Sequence, residues 1–302
     1  MEKIGLVTIT YNSEKVISAF LNCVWKQTYE NFNLYIIDNC SSDNTLQVLE
    51  KENTSRFKLI INTENFGVAK ANNQGIIQAF KDGCSKVLII NNDVEFEKDL
   101  IKKLIEFQNQ KKCSLVVPKM MYYSDPKYIW YGGGWFKKKR GFLPSHRGLN
   151  QLDKSQLDQI IAVEYAPTCC LLINKQVFDD IGLMDEKYFV YFDDTDFCFR
   201  ILKDGRHKIY YYPFVIFYHK VGSLTKSFKK NDSNKYRGDF FLKQNSMNHI
   251  YFLRKVGGLF SYLYIIWLFF RNNIRFMFSS RIKKNFNTWW LINYSYFKGL
   301  LK

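Results

Sequence analysis

In the first hundred residues, short apolar runs rich in β-branched residues alternate with stretches whose apolar positions recur at helical spacing. Residues 4–10 (IGLVTIT) predict a strand and residues 14–26 an amphipathic helix. A second strand is predicted over 33–38, then a helix through Glu50 with Ser42 as its N-cap. A third strand follows over 57–61, a helix over 68–80 with Gly83 beyond its end, a fourth strand over 86–91 and a helix over 99–108. Strand–helix alternation at this spacing argues for a parallel, doubly wound α/β sheet. Such sheets bind ligands beyond the carboxyl ends of their strands. The residues to watch are therefore Tyr11-Asn12, Asp38-Asn39, 62–65 and 91–93.

The alternation breaks over residues 120–160, where a Gly-rich turn (Tyr131-Gly132-Gly133-Gly134-Trp135) and a basic cluster at 137–140 predict a long loop or hairpin insertion. A strand over 169–173 and a short helix over 176–181 come next. The dense block 185–205 predicts a helix over 197–203 closed by Gly205, and an aromatic strand over 210–218 comes after it.

Charge divides the chain. The net charge is +16 over 302 residues, but 220–302 holds 16 basic residues against Asp232 and Asp239, while 1–219 is close to balance. A domain over 1–220 followed by a basic, aromatic, helical extension over 221–302 is expected, and the excess points to a polyanion: nucleic acid or an anionic membrane. The longest apolar run, 259–270, has 12 residues, short of the roughly 20 that span a bilayer. Arg254 and Lys255 precede it, and Arg271, Arg275, Arg281, Lys283 and Lys284 come after, which suits a segment lying in a membrane interface; a buried core helix is the alternative. The first residues lack the pattern of a signal peptide. Seven scattered cysteines form no zinc spacing and suit reduced thiols, the vicinal Cys169-Cys170 included. No helix-turn-helix, zinc-finger or RNP-like motif supports nucleic acid as the partner.

There is no GxxxxGK[ST] and no GxGxxG after the first strand. The strands end instead on aromatic, amide and carboxylate residues. Tyr11 can stack on a base, Asp38 can accept from a base edge, and Asp93 can hold a hard divalent cation, while turn and helix capping are the plain alternatives for the two acids. Asp193-Asp194-x-Asp196 places more acid at one point than a helix start requires, and like charges raise one another's pKa, which suits a general base. His219 ends the aromatic strand as a metal or phosphate contact, or simply as a strand-end histidine.

The order of these motifs resembles the inverting family-2 glycosyltransferases of GT-A fold, most closely the bacterial rhamnosyltransferase-like branch. VTITYN (7–12), WKQTY (25–29), IIDNCSSDNT (36–45), NTENFGVAKANNQG (62–75), NND (91–93), the stretch 166–200 and HKVGS (219–223) carry the likeness across about residues 3–250. The resemblance implies that Ile9, Thr10, Tyr11, Asn12, Asp38, Asn65, Gly67, Asn72 and Asn92 surround a nucleotide-diphospho-sugar. It implies Mg2+ or Mn2+ at Asp93, completed by His219, and Asp194 as catalytic base with Asp193 beside it. It also implies a saccharide acceptor, lipid-linked, in surface polysaccharide, O-antigen or capsule synthesis, with the enzyme peripheral on the cytoplasmic face of the membrane. A catalytically inactive sugar-nucleotide-binding protein is the alternative. The family's DxD element reads Asn91-Asn92-Asp93 here, with one carboxylate.

Overall fold

The computed structural model describes residues 2–221, 238–278 and 286–302. The elements are β1 (Ile4–Thr10), α1 (Glu14–Trp25), β2 (Phe32–Asp38), α2 (Thr45–Leu49), β3 (Phe57–Ile61), α3 (Val68–Lys81), β4 (Lys86–Ile90), β5 (Val94–Phe96), α4 (Leu100–Lys111), β6 (Leu115–Tyr122), β7 (Ile129–Tyr131), β8 (Gly134–Lys137), β9 (Leu143–His146), β10 (Ile161–Val163), β11 (Cys170–Asn174), α5 (Lys175–Ile181), α6 (Asp193–Asp204), β12 (Ile209–His219), α7 (Asp239–Val256), α8 (Gly258–Phe278) and α9 (Phe286–Leu301).

The strands of the main sheet lie in the order β10-β12-β6-β11-β4-β1-β2-β3. From β4 to β3 all pairs are parallel, with Ile9 opposite Ile37 and Val7 opposite Ile89. β2 and β4 are buried along their whole length, as a sheet covered on both faces requires. α3 lies close on this sheet because Gly75 has no side chain: a Cβ there would fall 2.5 Å from Val7. Parallel pairing sends Thr10, Asp38 and Ile90 to one edge, so the loops after β1, β2 and β4 gather there.

β11 then enters antiparallel to both β4 and β6, while β6 and β12 run parallel. Cys170 falls opposite Ile90, which sets the loop before β11 against the loop after β4. β5 pairs antiparallel with the end of β12, placing His219 opposite Val94.

Several expectations need correction. Ser42 caps nothing: α2 starts three residues later, behind Asn44, and the Ser42 hydroxyl lies 3.2 Å from Asn12 Oδ1. The insertion expected at 120–160 holds the β8–β9 hairpin, and its first part also carries the end of β6 and β7, which pair in the main sheet. The basic cluster is the tip of that hairpin. The helix expected over 197–203 begins at Asp193, so the three acids lie inside its first turn. The last two residues of HKVGS, and Arg281, Lys283 and Lys284, lie outside the described residues.

α7 packs on the earlier part of the chain through a cluster of Tyr188, Phe192, Tyr251 and Phe252. α7, α8 and α9 share a second cluster of Ile250, Leu253, Ile265, Leu268 and Tyr296. Among the described residues no helix is long and apolar enough to cross a membrane. One stripe of α8 is nevertheless exposed and apolar, through Leu259, Leu263, Ile266, Phe270 and Ile274, and α9 adds Trp290, Phe297 and Leu301.

Candidate active site

The loops after β1 and β2 are laced together by short polar side chains. Asp38 is fully buried. Its Oδ1 accepts the hydroxyls of Thr10 (2.7 Å) and Ser41 (2.6 Å), and its Oδ2 accepts the Ser41 N–H (2.8 Å). Asn12, at φ 52°, accepts the Ser42 N–H on Oδ1 at 2.8 Å and donates its own N–H to Ser41 Oγ at 2.9 Å. The expected base-edge acceptor is therefore the hub of its loop, with three donors already satisfied. Tyr11, between these contacts, is 48% exposed and presents its ring at the sheet edge.

The 62–75 segment has a similar internal logic. Asn65 Oδ1 accepts the Gly67 N–H at 2.9 Å, and Gly67 O accepts from Asn39 Nδ2 at 3.1 Å. Gly67 has φ +82°, and a Cβ there would sit 2.3 Å from Phe189 O, so only glycine fits. Asn72, expected to line the nucleotide pocket, is instead buried with Nδ2 3.8 Å from Met184 Sδ. It packs α3 against the 184–189 segment, as does its neighbour Asn73, which donates to Met184 O at 2.9 Å and to Glu186 at 3.0 Å.

Asn92 reaches back to β1, donating to Ile9 O at 2.8 Å and to Ser13 Oγ at 2.9 Å. Asp93 and His219, far apart in sequence, are brought together by the β5–β12 pairing: Nε2 lies 3.3 Å from Asp93 Oδ1. Trp130 meets the imidazole edge-on at 4.7 Å, and His219 Nδ1 is buried with no hydrogen-bond partner among the described residues. Among the described residues no cluster of three or more His, Cys, Asp or Glu that could hold a metal is present. Asp93 and His219 thus offer one carboxylate and one imidazole, a donor pair that suits a divalent cation whose other positions are filled by phosphate oxygens and water. The orphaned Nδ1 also marks this spot as electrostatically incomplete.

The acidic turn is built differently. Tyr191 (φ 66°) and Phe192 (φ 70°) are consecutive left-handed residues immediately before Asp193. Left-handed backbone is costly for bulky side chains and persists only where neighbours enforce it. Here Asn248 of α7, fully buried, donates through Nδ2 to both Val190 O and Tyr191 O at 2.9 Å. Phe192 stacks on His249 at 5.4 Å and packs against Phe252. The three acids that come next have distinct surroundings. Asp196 is ion-paired with Arg200 (2.9 Å) and Lys255 (2.5 Å) and serves the structure. Asp194 accepts the Tyr165 hydroxyl at 2.6 Å on Oδ2 and the Thr195 N–H at 2.6 Å on Oδ1. Burial raises the Asp194 carboxyl above its ordinary value, against the pull of those hydrogen bonds. Burial, and then the charge of Asp194, push Asp193 upward too. Tyr165 is itself held protonated, its pKa pushed far up by burial and by Asp194, so it acts toward Asp194 as a donor only.

Asp93 and Asp194 both act on Cys169. Its buried thiol is pushed up by desolvation and then by the charges of both Asp93 and Asp194, and its carbonyl accepts the Asn91 N–H at 3.0 Å. All seven cysteines are free thiols. Tyr165, Trp130 and Asn248 were not legible as site residues: each acts through a partner distant in sequence and stands in no motif of its own.

This sheet order, with carboxylates at the ends of β2 and β4 and at the start of α6, is the GT-A form of the α/β fold. The chain belongs to Glycosyl transferase family 2, whose model matches residues 6–182. It is 22% identical over 218 residues to the low-salt glycan biosynthesis hexosyltransferase Agl10 of Haloferax volcanii, covering 68% of this chain and 63% of that one. It is 25% identical over 209 residues to the dTDP-rhamnosyl transferase RfbF of Shigella flexneri, covering 66% and 63%. The aligned part thus spans less than two thirds of either relative. The fold is similar to that of Staphylococcus aureus TarS 1–349 solved with UDP-GlcNAc, at TM-score 0.57 and 18% identity over 98% of this chain and 81% of that one. It is also similar to GalNAc-T7 solved with UDP, GalNAc and Mn2+, at TM-score 0.59 and 13% identity over 82% and 51%.

Proposed function

We propose that this protein transfers a sugar from a nucleotide-diphospho-sugar, of the dTDP-rhamnose or UDP-hexose type, to a hydroxyl of a saccharide acceptor with inversion. The observation that supports this reading is the pairing of Asp93 with His219 at the end of β12, together with the Asp193–Asp194 turn that Tyr165 and α7 hold, with both Asp93 and Asp194 near enough to Cys169 for their charges to act on its thiol. A donor lies over the first pair, an acceptor hydroxyl over the second, and the sugar between.

Asp93 and His219 would hold Mg2+ or Mn2+, which supplies Lewis-acid neutralisation of the diphosphate leaving group. Tyr11 stacks on the base, and Asp38 keeps Thr10, Asn12 and Ser41 in the arrangement that frames it. Ile9 contributes its backbone, which Asn92 holds, and Asn65 and Gly67 shape the far wall. Asp194, made more basic by burial, takes the proton from the acceptor hydroxyl as that oxygen attacks. Tyr165 and the Thr195 N–H aim its two oxygens. One carboxylate base without a carboxylate nucleophile gives a single displacement, hence inversion.

The division into a catalytic domain (1–220) and an extension (221–302) belongs to the same proposal. The exposed apolar stripe of α8 and α9, with Arg254 exposed on α7 and Arg275 exposed on α8, supports an anionic membrane as the partner of the extension, with a lipid-linked acceptor on the cytoplasmic face. Incubating the full chain with a panel of nucleotide sugars, Mg2+ or Mn2+ and saccharide acceptors, and measuring nucleotide release with product anomeric configuration, tests the reaction. Release from at least one donor with inverted product is expected; donor binding without turnover across the panel would leave an inactive binding protein. Sedimentation with vesicles tests the membrane: recovery with anionic but not neutral vesicles is expected, and equal recovery in the supernatant overturns it.

A further inference from the structure

A polar cavity of about 210 Å³ lies where α7, α8 and α9 meet β9. Its polar wall includes Asn245, Ser246, His249, Tyr264, Arg271 and Asn272. Arg271 is drawn partly out of solvent, and burial lowers its pKa. Its guanidinium makes no ion pair among the described residues; it lies 3.1 Å from Asn272 Oδ1 and 4.8 Å from the Trp267 ring. Withdrawn charges are ordinarily paired. Here the pairing cannot come from the walls: residues 126–152 and 240–302, which include every lining residue, contain no Asp or Glu. The surroundings add positive charge instead. Arg140 at the tip of the β8–β9 hairpin and Arg271 both act on the Tyr264 hydroxyl, Arg275 acts on Arg271, and Lys138 lies 5.3 Å from the Phe260 ring on the same helix. His249 is neutral, its pKa depressed to about 4 chiefly by burial, and Nε2 donates to Gly141 O at 2.9 Å.

We propose that this cavity binds a phosphate or diphosphate group, with Arg271 as the anchoring cation and Asn245, Ser246 and Tyr264 as hydrogen-bonding partners. The missing charge is negative and compact, and amide, hydroxyl and guanidinium donors together are the chemistry that recognises phosphoryl oxygens. The place in the fold gives the site a purpose. One wall, His249, stacks on Phe192, next to Asp193, and the helix carrying Arg271 also carries the exposed apolar stripe. A diphosphate linking a lipid to an acceptor sugar would sit between membrane and catalytic base; only this choice of source rests on the proposed transfer reaction, and the anion site itself does not.

The test uses the full chain in EDTA without donor, so that cation-dependent binding at Asp93 and His219 is silent. Inorganic pyrophosphate and inorganic phosphate are titrated by calorimetry and thermal shift. Asn272→Asp places a carboxylate of the same shape beside Arg271 and neutralises the cavity from within. Saturable pyrophosphate binding is expected, weakened at least about tenfold in Asn272→Asp and in Arg271→Gln. Asn287→Asp, on the exposed part of α9 away from the cavity, changes net charge equally and should bind as the parent does. Neutral vesicles doped with a polyprenyl diphosphate, compared with vesicles of anionic phospholipid, separate the sources. Retention by the first that Asn272→Asp abolishes marks the lipid-linked diphosphate, whereas loss of soluble pyrophosphate binding alone marks a free anion. Absence of saturable binding to every phosphate probe, or equal affinity in parent and both variants, overturns the proposal. Neither outcome bears on turnover, so the transfer reaction stands or falls separately.

Discussion

Asp38 at the end of β2 and Asp193 at the start of α6 are both buried, yet their surroundings differ. Asp38 has three donors within 2.8 Å, all from its own and the neighbouring loop, and it organises the donor side. Asp193 and Asp194 are consecutive, share one desolvated turn, and are held there by a left-handed backbone that α7 enforces. Asp194 accepts hydrogen bonds as Asp38 does, but only at α6 does a second carboxylate stand alongside, and its charge pushes Asp193 upward. The same molecule thus carries a lone carboxylate satisfied by its loop and a carboxylate pair raised by burial, and the difference lies in partners rather than in residue type.

The largest expected effect comes from removing the reactive acid. Asp194→Asn should lower transfer by about 10²–10⁴-fold while leaving nucleotide affinity nearly unchanged, read as turnover against a nucleotide titration. Full turnover in that variant would erase the distinction between the two sides. Asp93→Ala should cost roughly a hundredfold in kcat/KM and be poorly rescued by excess Mg2+ or Mn2+; a rate unchanged in EDTA would remove the cation from this side.

Asn248→Ala should destabilise the fold by about 1–3 kcal/mol, since the Val190 and Tyr191 carbonyls lose their shared donor in a buried place. Turnover should fall more than donor affinity does, because the turn that aims Asp194 relaxes. An unchanged rate in a less stable protein would make Asn248 purely structural.

The smallest effect is a matter of pH. Asp193 has a folded-state pKa raised from 3.8 to about 8, so the folded protein retains a proton that the unfolded chain has released. The stability from that proton is complete below the ordinary carboxylate range and is lost as pH rises through the folded-state value. Asp193→Asn removes the titration, and its melting temperature should gain more on the parent near pH 8 than near pH 5. A gain that shrinks with rising pH would overturn the upward shift of Asp193.

Much of this was legible beforehand, unevenly. β1 and β3 run over the residues expected, because each is a short run rich in apolar β-branched residues bounded by polar loops. The acids and His219 stood out by chemical type. Less legible was the way the acidic turn is used. Asp196 lies in the same motif as Asp194 but is consumed by Arg200 and Lys255, and the latter comes from α7. Asn72 matched the motif as a ligand residue and turned out to be packing, since the face of α3 it occupies is covered by Met184. Ser42 looked like a cap because hydroxyls favour helix starts, but the loop used it to satisfy Asn12 instead.

Local pattern and composition by themselves determined the strand–helix order, the positions of the chemical groups, and the division between a near-neutral part and a basic, acid-poor end. Those properties depend on neighbours within a few residues, or on no neighbours at all. Tertiary structure decided which acids are paired, that His219 meets Asp93, that Tyr165 and Asn248 serve the acidic turn, and that Arg271 faces a cavity without a counter-charge. Burial and long-range partners set those outcomes, and desolvation acts on a carboxylate or guanidinium only once distant segments have closed around it.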